Sequence, residues 1–326
     1  MITSWQGGGG KRKKMSQPVS WRWWQRVGVV AVMALSSVFL FNHVYPASVY
    51  NFATTVPVEE KDKKVMLVTK DNFVGVDQEE TGLADFIRHT HIVPPSPLPY
   101  VLEEPNRIDF SQFKQSAIAN NTFLKGMRGG VFLEAGAFTG EKLSNTLYFE
   151  KYLGWTGLLV EPDPELYSKL LSHHRKAYSI NSGLSLTTRA DVLRFKQDGY
   201  LGRMGSDKGS IEVNVFPLYS VLRALNYTTV DFFSLDIEGD EMKVLQTIPW
   251  DKVKFRLITI EVNHVAGGTK GILNYLESKG YTFLGVKMID AWFGLRELLV
   301  QSQMDVDQYL KKNKIVMERK KILRHK

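Results

Sequence analysis

Residues 131–141 read VFLEAGAFTGE, and the reading of this stretch decides the fold. Three apolar residues run into Glu134, Gly136 and Gly140 follow four apart, and the segment from Glu141 to Tyr152 predicts a helix. An apolar strand that ends in a glycine turn and feeds a helix is the opening unit of many nucleotide-type ligand sites. Gly136 suits a tight turn at positive φ, and Gly140 leaves the backbone open to a ligand. The spacing is not GxGxxG, and no Lys-Ser/Thr pair follows, which argues against a pyrophosphate ligand. A purely structural bend would use the same glycines.

Downstream, apolar runs alternate with helical patterns. GLLVE (157–161) precedes PELYSKLLSHH (164–174), and AYSIN (177–181) comes before a glycine-rich polar insertion at 197–210. After the helical FPLYSVLRAL (216–225), DFFSLDI (231–237) leads into DEMKVLQTI (240–248), and RLITIEV (257–263) into KGILNYLESKG (270–280). YTFLGV (281–286) and ELLVQS (297–302) are read as a closing antiparallel pair. Runs apolar along their whole length are buried on both faces, so the pattern predicts an α/β doubly wound sandwich of about seven strands.

Ligands in such sheets sit beyond the carboxyl ends of the strands. The second strand ends at Glu161, placed to accept hydrogen bonds from both hydroxyls of a ribose, while Asp163 caps the next helix with Pro164 at its first position. The fourth ends in Asp236-Ile237-Glu238, two carboxylates able to take a proton or hold a ligand; the structural alternative pairs one of them with Arg256. The fifth contributes Glu261 and His264. Together with Asp236 and Glu238 these make a conceivable divalent-ion set, but from separate strands they assign no metal. No Ser-His-Asp order or nucleophile elbow is present.

Upstream, the run from Val27 to Phe41 carries no charge, and 27–45 nears the roughly 20 residues that span a bilayer. Trp21, Trp23 and Trp24 precede it, Tyr45 and Tyr50 follow, and the basic cluster of residues 1–26 lies on one side only. That pattern predicts a signal anchor with a cytoplasmic N-terminus and a luminal body, the alternative being a cleaved signal peptide. Residues 46–107, with their proline run HIVPPSPLPY, read as an extended stem holding a short helical element near Leu83–Arg88. The domain spans 108–302, its first helix running from Asp109 to about Lys125, and 303–326 form a basic solvated tail. The formal charge of +8 comes from the two ends, so the body is net acidic and carries no nucleic-acid footprint. Without cysteine there are no disulfides, thiolate metal sites or cysteine nucleophiles. Sequons stand at Asn120 and Asn226.

The segments EAGAFTGE, SNTLYFEKYLGWTGLLVEPDP and FFSLDIEGDE resemble the FkbM-type methyltransferase domain, and with the anchor and stem its membrane-anchored Star-like branch. The resemblance implies a seven-stranded S-adenosylmethionine-dependent fold. In it, Glu134, Gly136 and Gly140 form the loop under the methionine part of the cofactor. Glu161 binds the ribose, Ser182 lies near the adenine, and Asp236 and Glu238 face methyl transfer with His264 as a further candidate. The Star-like branch implies a type II protein of the endoplasmic reticulum, Golgi and endosomes. Its role there is the trafficking of membrane-bound growth-factor (EGF receptor ligand) precursors. The FkbM domain alone implies an O-methyltransferase acting on a sugar or other hydroxyl. Asp236-Ile237-Glu238 is only a loose imitation of the DxD motif that a sugar-transferring enzyme would carry.

Overall fold

The computed structural model describes residues 66–205, 210–266 and 268–324. The expected anchor, its aromatic flanks and the basic N-terminal tail fall in residues 1–65, outside that set. Among the described residues no helix is long and apolar enough to cross a membrane.

Ahead of the glycine turn lie α1 (Thr81–Thr90), β1 (Ile92–Val93) and α2 (Gln115–Ile118), the last continued as a π-turn over Ala119–Leu124. Strand and helix then alternate through β2 (Val131–Ala135), α3 (Leu147–Leu153), β3 (Thr156–Val160), α4 (Pro164–Ser172) and β4 (Tyr178–Ile180). A separate four-stranded sheet comprises β5 (Gly183–Leu184), β6 (Asp191–Lys196), β7 (Arg203–Met204) and β8 (Ile211–Phe216). The chain goes on through α5 (Leu218–Ala224), β9 (Thr229–Leu235), α6 (Glu241–Thr247), β10 (Lys254–Glu261), α7 (Gly268–Ser278), β11 (Thr282–Lys287) and β12 (Asp290–Gly294). It closes with α8 (Arg296–Gln301), α9 (Val306–Lys312) and α10 (Ile315–Arg324).

The main sheet runs β1-β4-β3-β2-β9-β10-β12-β11. β4, β3, β2, β9 and β10 are parallel, and β12 is antiparallel to both of its neighbours. Six of the seven strands expected are present, β12 takes the place of the seventh, and β1 adds an eighth at the edge. Period-two geometry divides each central strand between two cores. Leu133, Phe233 and Ile258 join one core with α1, α5, α6 and α7; Phe132, Phe232 and Leu257 join the other with α3, α4 and α8. Burial of side chains of this size contributes roughly 1.5–3 kcal/mol each, so both helical layers are held from the middle of the sheet.

Outside the cleft, four expectations differ from the structure. The stretch read as a stem supplies buried Val68, Phe73 and Val76, the helix α1 and the edge strand β1, which pairs Ile92 with Ile180. After Val93 the chain leaves the sheet at Pro94, because proline has no N–H to donate. The helix expected from Asp109 starts at Gln115, since Lys114 sits at φ 63° and the Asp109 carboxylate accepts the Ser111 N–H instead. ELLVQS forms α8 rather than a strand; the partner of β11 is β12, whose residues are all buried between β10 and β11. The C-terminal tail packs: Met304, Val306 and Ile315 are buried, and Glu318 accepts the Val286 N–H.

Candidate functional site

Strand register sets the site. Ala135 pairs with Val160 and Leu235, Val160 with Ile180, and Leu235 with Ile260. Residues one step beyond, namely Gly136, Glu161, Asp236 and Glu261, therefore share one edge of the sheet. A cleft enclosing about 970 Å³, part of it open to solvent, lies there.

The turn closes by backbone approach. Gly136 sits at φ +83°, and a Cβ added to it would lie 1.8 Å from the Asp236 carbonyl oxygen. Gly140, at φ +75°, faces Leu170 of α4 and does not line the cleft. It gives room for helix packing where an opening for a ligand was expected. Glu134 is buried and accepts from Ser144 Oγ (2.9 Å), the Asn145 N–H (2.5 Å) and Thr146 Oγ1 (2.5 Å). These bonds hold 144–146 as a loop, so the helix expected from residue 141 begins at Leu147. Burial pushes the Glu134 pKa up, opposed by the Arg175 guanidinium and by those bonds. Arg175 itself donates to Glu150 at 2.9 Å, to Thr146 Oγ1 at 3.2 Å and to the Gly140 carbonyl.

Glu161 has a structural job that the sequence did not reveal. Its two oxygens accept the N–H groups of Phe138 (2.8 Å) and Asp163 (2.9 Å), joining the glycine turn to the start of α4. Asp163 caps α4 as expected, accepting from the N–H groups of Glu165 and Leu166. Each Glu161 oxygen keeps a lone pair, and the residue lines the cleft. Burial pushes its pKa up to about 8.

That shift makes a prediction. A carboxyl protonated in the folded chain up to about pH 8, but only to about 4.5 once unfolded, gives the folded state the greater proton uptake in between. Stability is therefore expected to fall as pH rises from 5 to 8, by roughly 3 kcal/mol for this group. Burial also pushes Asp290 up to about 6, in the same direction. Urea unfolding across the range checks it, and Glu161→Gln should flatten the slope. An unchanged slope in that variant would contradict the assignment.

Past β4, Ser182, expected near the adenine, is fully buried behind the cleft wall and does not line the cleft; its Oγ has no hydrogen-bond partner. Gly183, Leu184, Leu186, Phe195 and Met204 continue from it as an apolar slot. The separate sheet builds this wall, which the sequence reading missed by treating 197–210 as an interruption. The signal was present: IEVNVF (211–216) alternates apolar and polar residues, and a glycine-rich turn separates it from DVLRFK (191–196). Asn145 and Ser234 also line the cleft; Asn145 Nδ2 donates to Ser234 Oγ at 2.9 Å, leaving Asn145 Oδ1 unpartnered.

The opposite end is acidic. Asp236 and Glu238 line the cleft. They follow β9 in a turn where Glu238 has φ 61°, so a shared strand face does not explain their proximity. Glu241 holds that turn by accepting the N–H groups of Ile237 and Gly239. Asp240 precedes α6 without a side-chain capping bond and pairs with Lys243 at 2.7 Å. Arg256 is bound to Asp231 at 2.9 Å, not to Asp236 or Glu238. His264 is brought into the site, its Nδ1 standing 2.6 Å from Glu238. Burial, then the carboxylates of Glu261 and Glu238, push the Asp236 pKa well up. Burial also raises Glu238, opposed by His264.

Residues 134–283 match the family model of the methyltransferase FkbM domain. The match begins at Glu134 in the glycine turn and ends at Phe283 in β11, so it contains the whole acidic edge. No curated protein is significantly similar to the chain.

Proposed function

We propose that the cleft binds S-adenosylmethionine and that the protein is an O-methyltransferase. The observation that carries this reading is Glu161, a buried carboxyl group at the end of β3, beside the glycine turn, that keeps one free lone pair on each oxygen once ionised. Glu161 would take the ribose hydroxyls. The slot of Leu184, Leu186, Phe195 and Met204 would take the adenine. Asn145 Oδ1 would accept from the ammonium of the methionine part. The unpartnered Asn145 Oδ1 and the apolar slot fit this ligand. Bound there, the cofactor supplies a methyl group on a positively charged sulfur.

The chain's own groups select the acceptor. Asp236, Glu238, Glu241 and Glu261 cluster at this edge, which disfavours an anionic acceptor and favours a neutral hydroxyl beside a cationic sulfonium. Asp236 and Glu238 line the cleft there and receive the hydroxyl and its proton. A sugar or another polyol is the class of acceptor this edge suits.

A role in trafficking growth-factor precursors, as a type II protein of the endoplasmic reticulum, Golgi and endosomes, rests on the Star-like resemblance of the chain's layout. That layout lies largely in residues 1–65, and the stretch from residue 66 onward packs into the domain. The cleft geometry favours the enzyme.

Calorimetry of the full-length chain with S-adenosylhomocysteine tests the proposal. Micromolar binding is expected at about pH 9, where the Glu161 carboxyl is ionised, weakened at least tenfold in Glu161→Gln, since a hydrogen bond to a charged group contributes roughly 1.5–3 kcal/mol. No binding by a folded chain would overturn it and turn attention to cargo. Wild-type affinity in a folded Glu161→Gln would overturn the ribose assignment.

A further inference from the structure

The acidic edge contains a set of donors that its internal hydrogen bonds do not explain. Glu238, Glu261 and His264 each offer one ligand atom, and all three atoms lie within 4.8 Å of one another. Two ligands of one ion stand at most about twice the metal–ligand distance apart, or ~4–5 Å for bonds of ~2.0–2.5 Å, so the three can share a single cation.

Glu261 supplies the independent observation. Its side chain is 6% exposed, and its Oε2 is shut from solvent with no hydrogen-bond partner. That oxygen lies 3.7 Å from His264 Nδ1, too far for a hydrogen bond, and points into the cluster. A buried anionic oxygen left bare costs several kcal/mol unless a cation or donor meets it. Arg256, the cation that the sequence suggested for this edge, is committed to Asp231.

We propose that Glu238, Glu261 and His264 hold one divalent cation at the rim of the cleft. The donor set names the class. Two carboxylates with one imidazole suit Mn²⁺, Fe²⁺ or Zn²⁺ better than Mg²⁺ or Ca²⁺, which prefer all-oxygen shells. The His264 side chain is 49% exposed, which gives the ion a path in and leaves coordination positions open. Glu238 also lines the cleft, so those positions adjoin the acceptor end. The ion's role in binding the acceptor hydroxyl rests on the methyl-transfer reading; its binding to the protein does not.

The test is Mn²⁺ titration of the chelator-stripped full-length chain, followed by loss of the free-ion electron paramagnetic resonance signal. One site with a Kd below about 100 μM is expected, weakened at least tenfold in both His264→Ala and Glu261→Gln, as loss of a ligand predicts. His264 is half-exposed, so His264→Ala is the variant that stays folded. Absence of binding by the folded chain, or equal binding in the two variants and the wild type, overturns the site. S-adenosylhomocysteine binding without Mn²⁺ binding overturns this inference alone. Mn²⁺ binding without S-adenosylhomocysteine binding supports the ion site and removes the methyl-transfer reading.

Discussion

Gly136→Ala is expected to destabilise the folded domain by roughly 3 kcal/mol or more and to weaken S-adenosylhomocysteine at least a hundredfold. Two effects add. The backbone stands at φ +83°, which an L side chain tolerates poorly, and the new Cβ would sit 1.8 Å from the Asp236 carbonyl oxygen. That oxygen belongs to backbone and cannot swing aside. The β2 and β9 ends must therefore part, and the Asp236–Glu238 turn moves with them. Gly154 separates the two contributions: it has φ +68°, and a Cβ added there would meet nothing within 4 Å. Gly154→Ala should cost only the backbone strain, about 1–2 kcal/mol. Urea unfolding of both variants measures the difference. Equal losses would mean that the turn yields and that the close approach is not what fixes the cleft.

Arg175→Leu is expected to cost roughly 3–5 kcal/mol. The Arg175 and Glu150 side chains are 2% and 0% exposed, so removing one strands the other as an unpaired buried charge. The damage reaches the site because the same guanidinium donates to the Gly140 carbonyl, Ser144 Oγ and Thr146 Oγ1. Arg175→Lys should rescue little, since an ammonium cannot span those directions at once. Arg175→Leu with Glu150→Leu should recover much of the loss, because an apolar pair leaves no buried charge behind. If the double variant were no more stable than Arg175→Leu, the stranded carboxylate would not be the cause.

Arg175 also illustrates what the sequence withheld. Nothing local distinguishes it from His173, His174 or Lys176; only the arrival of α3 and the glycine turn makes it central. Glu161 was legible as a cleft carboxylate because it follows an apolar run, but its grip on the Phe138 N–H required the turn to fold back over β3. His264, a lone histidine in its stretch of the chain, became a site residue through its 2.6 Å approach to Glu238. Asn120 makes the opposite point: it lies in a sequon, yet it is buried against Tyr148, whereas Asn226 is exposed.

By itself the sequence determined the layering, because doubly apolar strands must be covered on both faces. It also determined the functional edge, because in a parallel sheet every strand delivers its carboxyl end to the same side. The Asp163–Pro164 cap was local chemistry and equally legible. Tertiary structure decided what depends on long-range register. The short edge strand β1 came from a stretch that proline made look like a spacer. β12 displaced the expected closing strand because four consecutive buried residues, Ala291–Gly294, fit between β10 and β11. The second sheet walls the apolar slot of the cleft. The turn after β9 gathered Asp236, Glu238, Glu261 and His264 through a positive φ that no side-chain pattern announces. Period and polarity fix which face is buried, whereas contacts across a hundred residues fix which atoms meet.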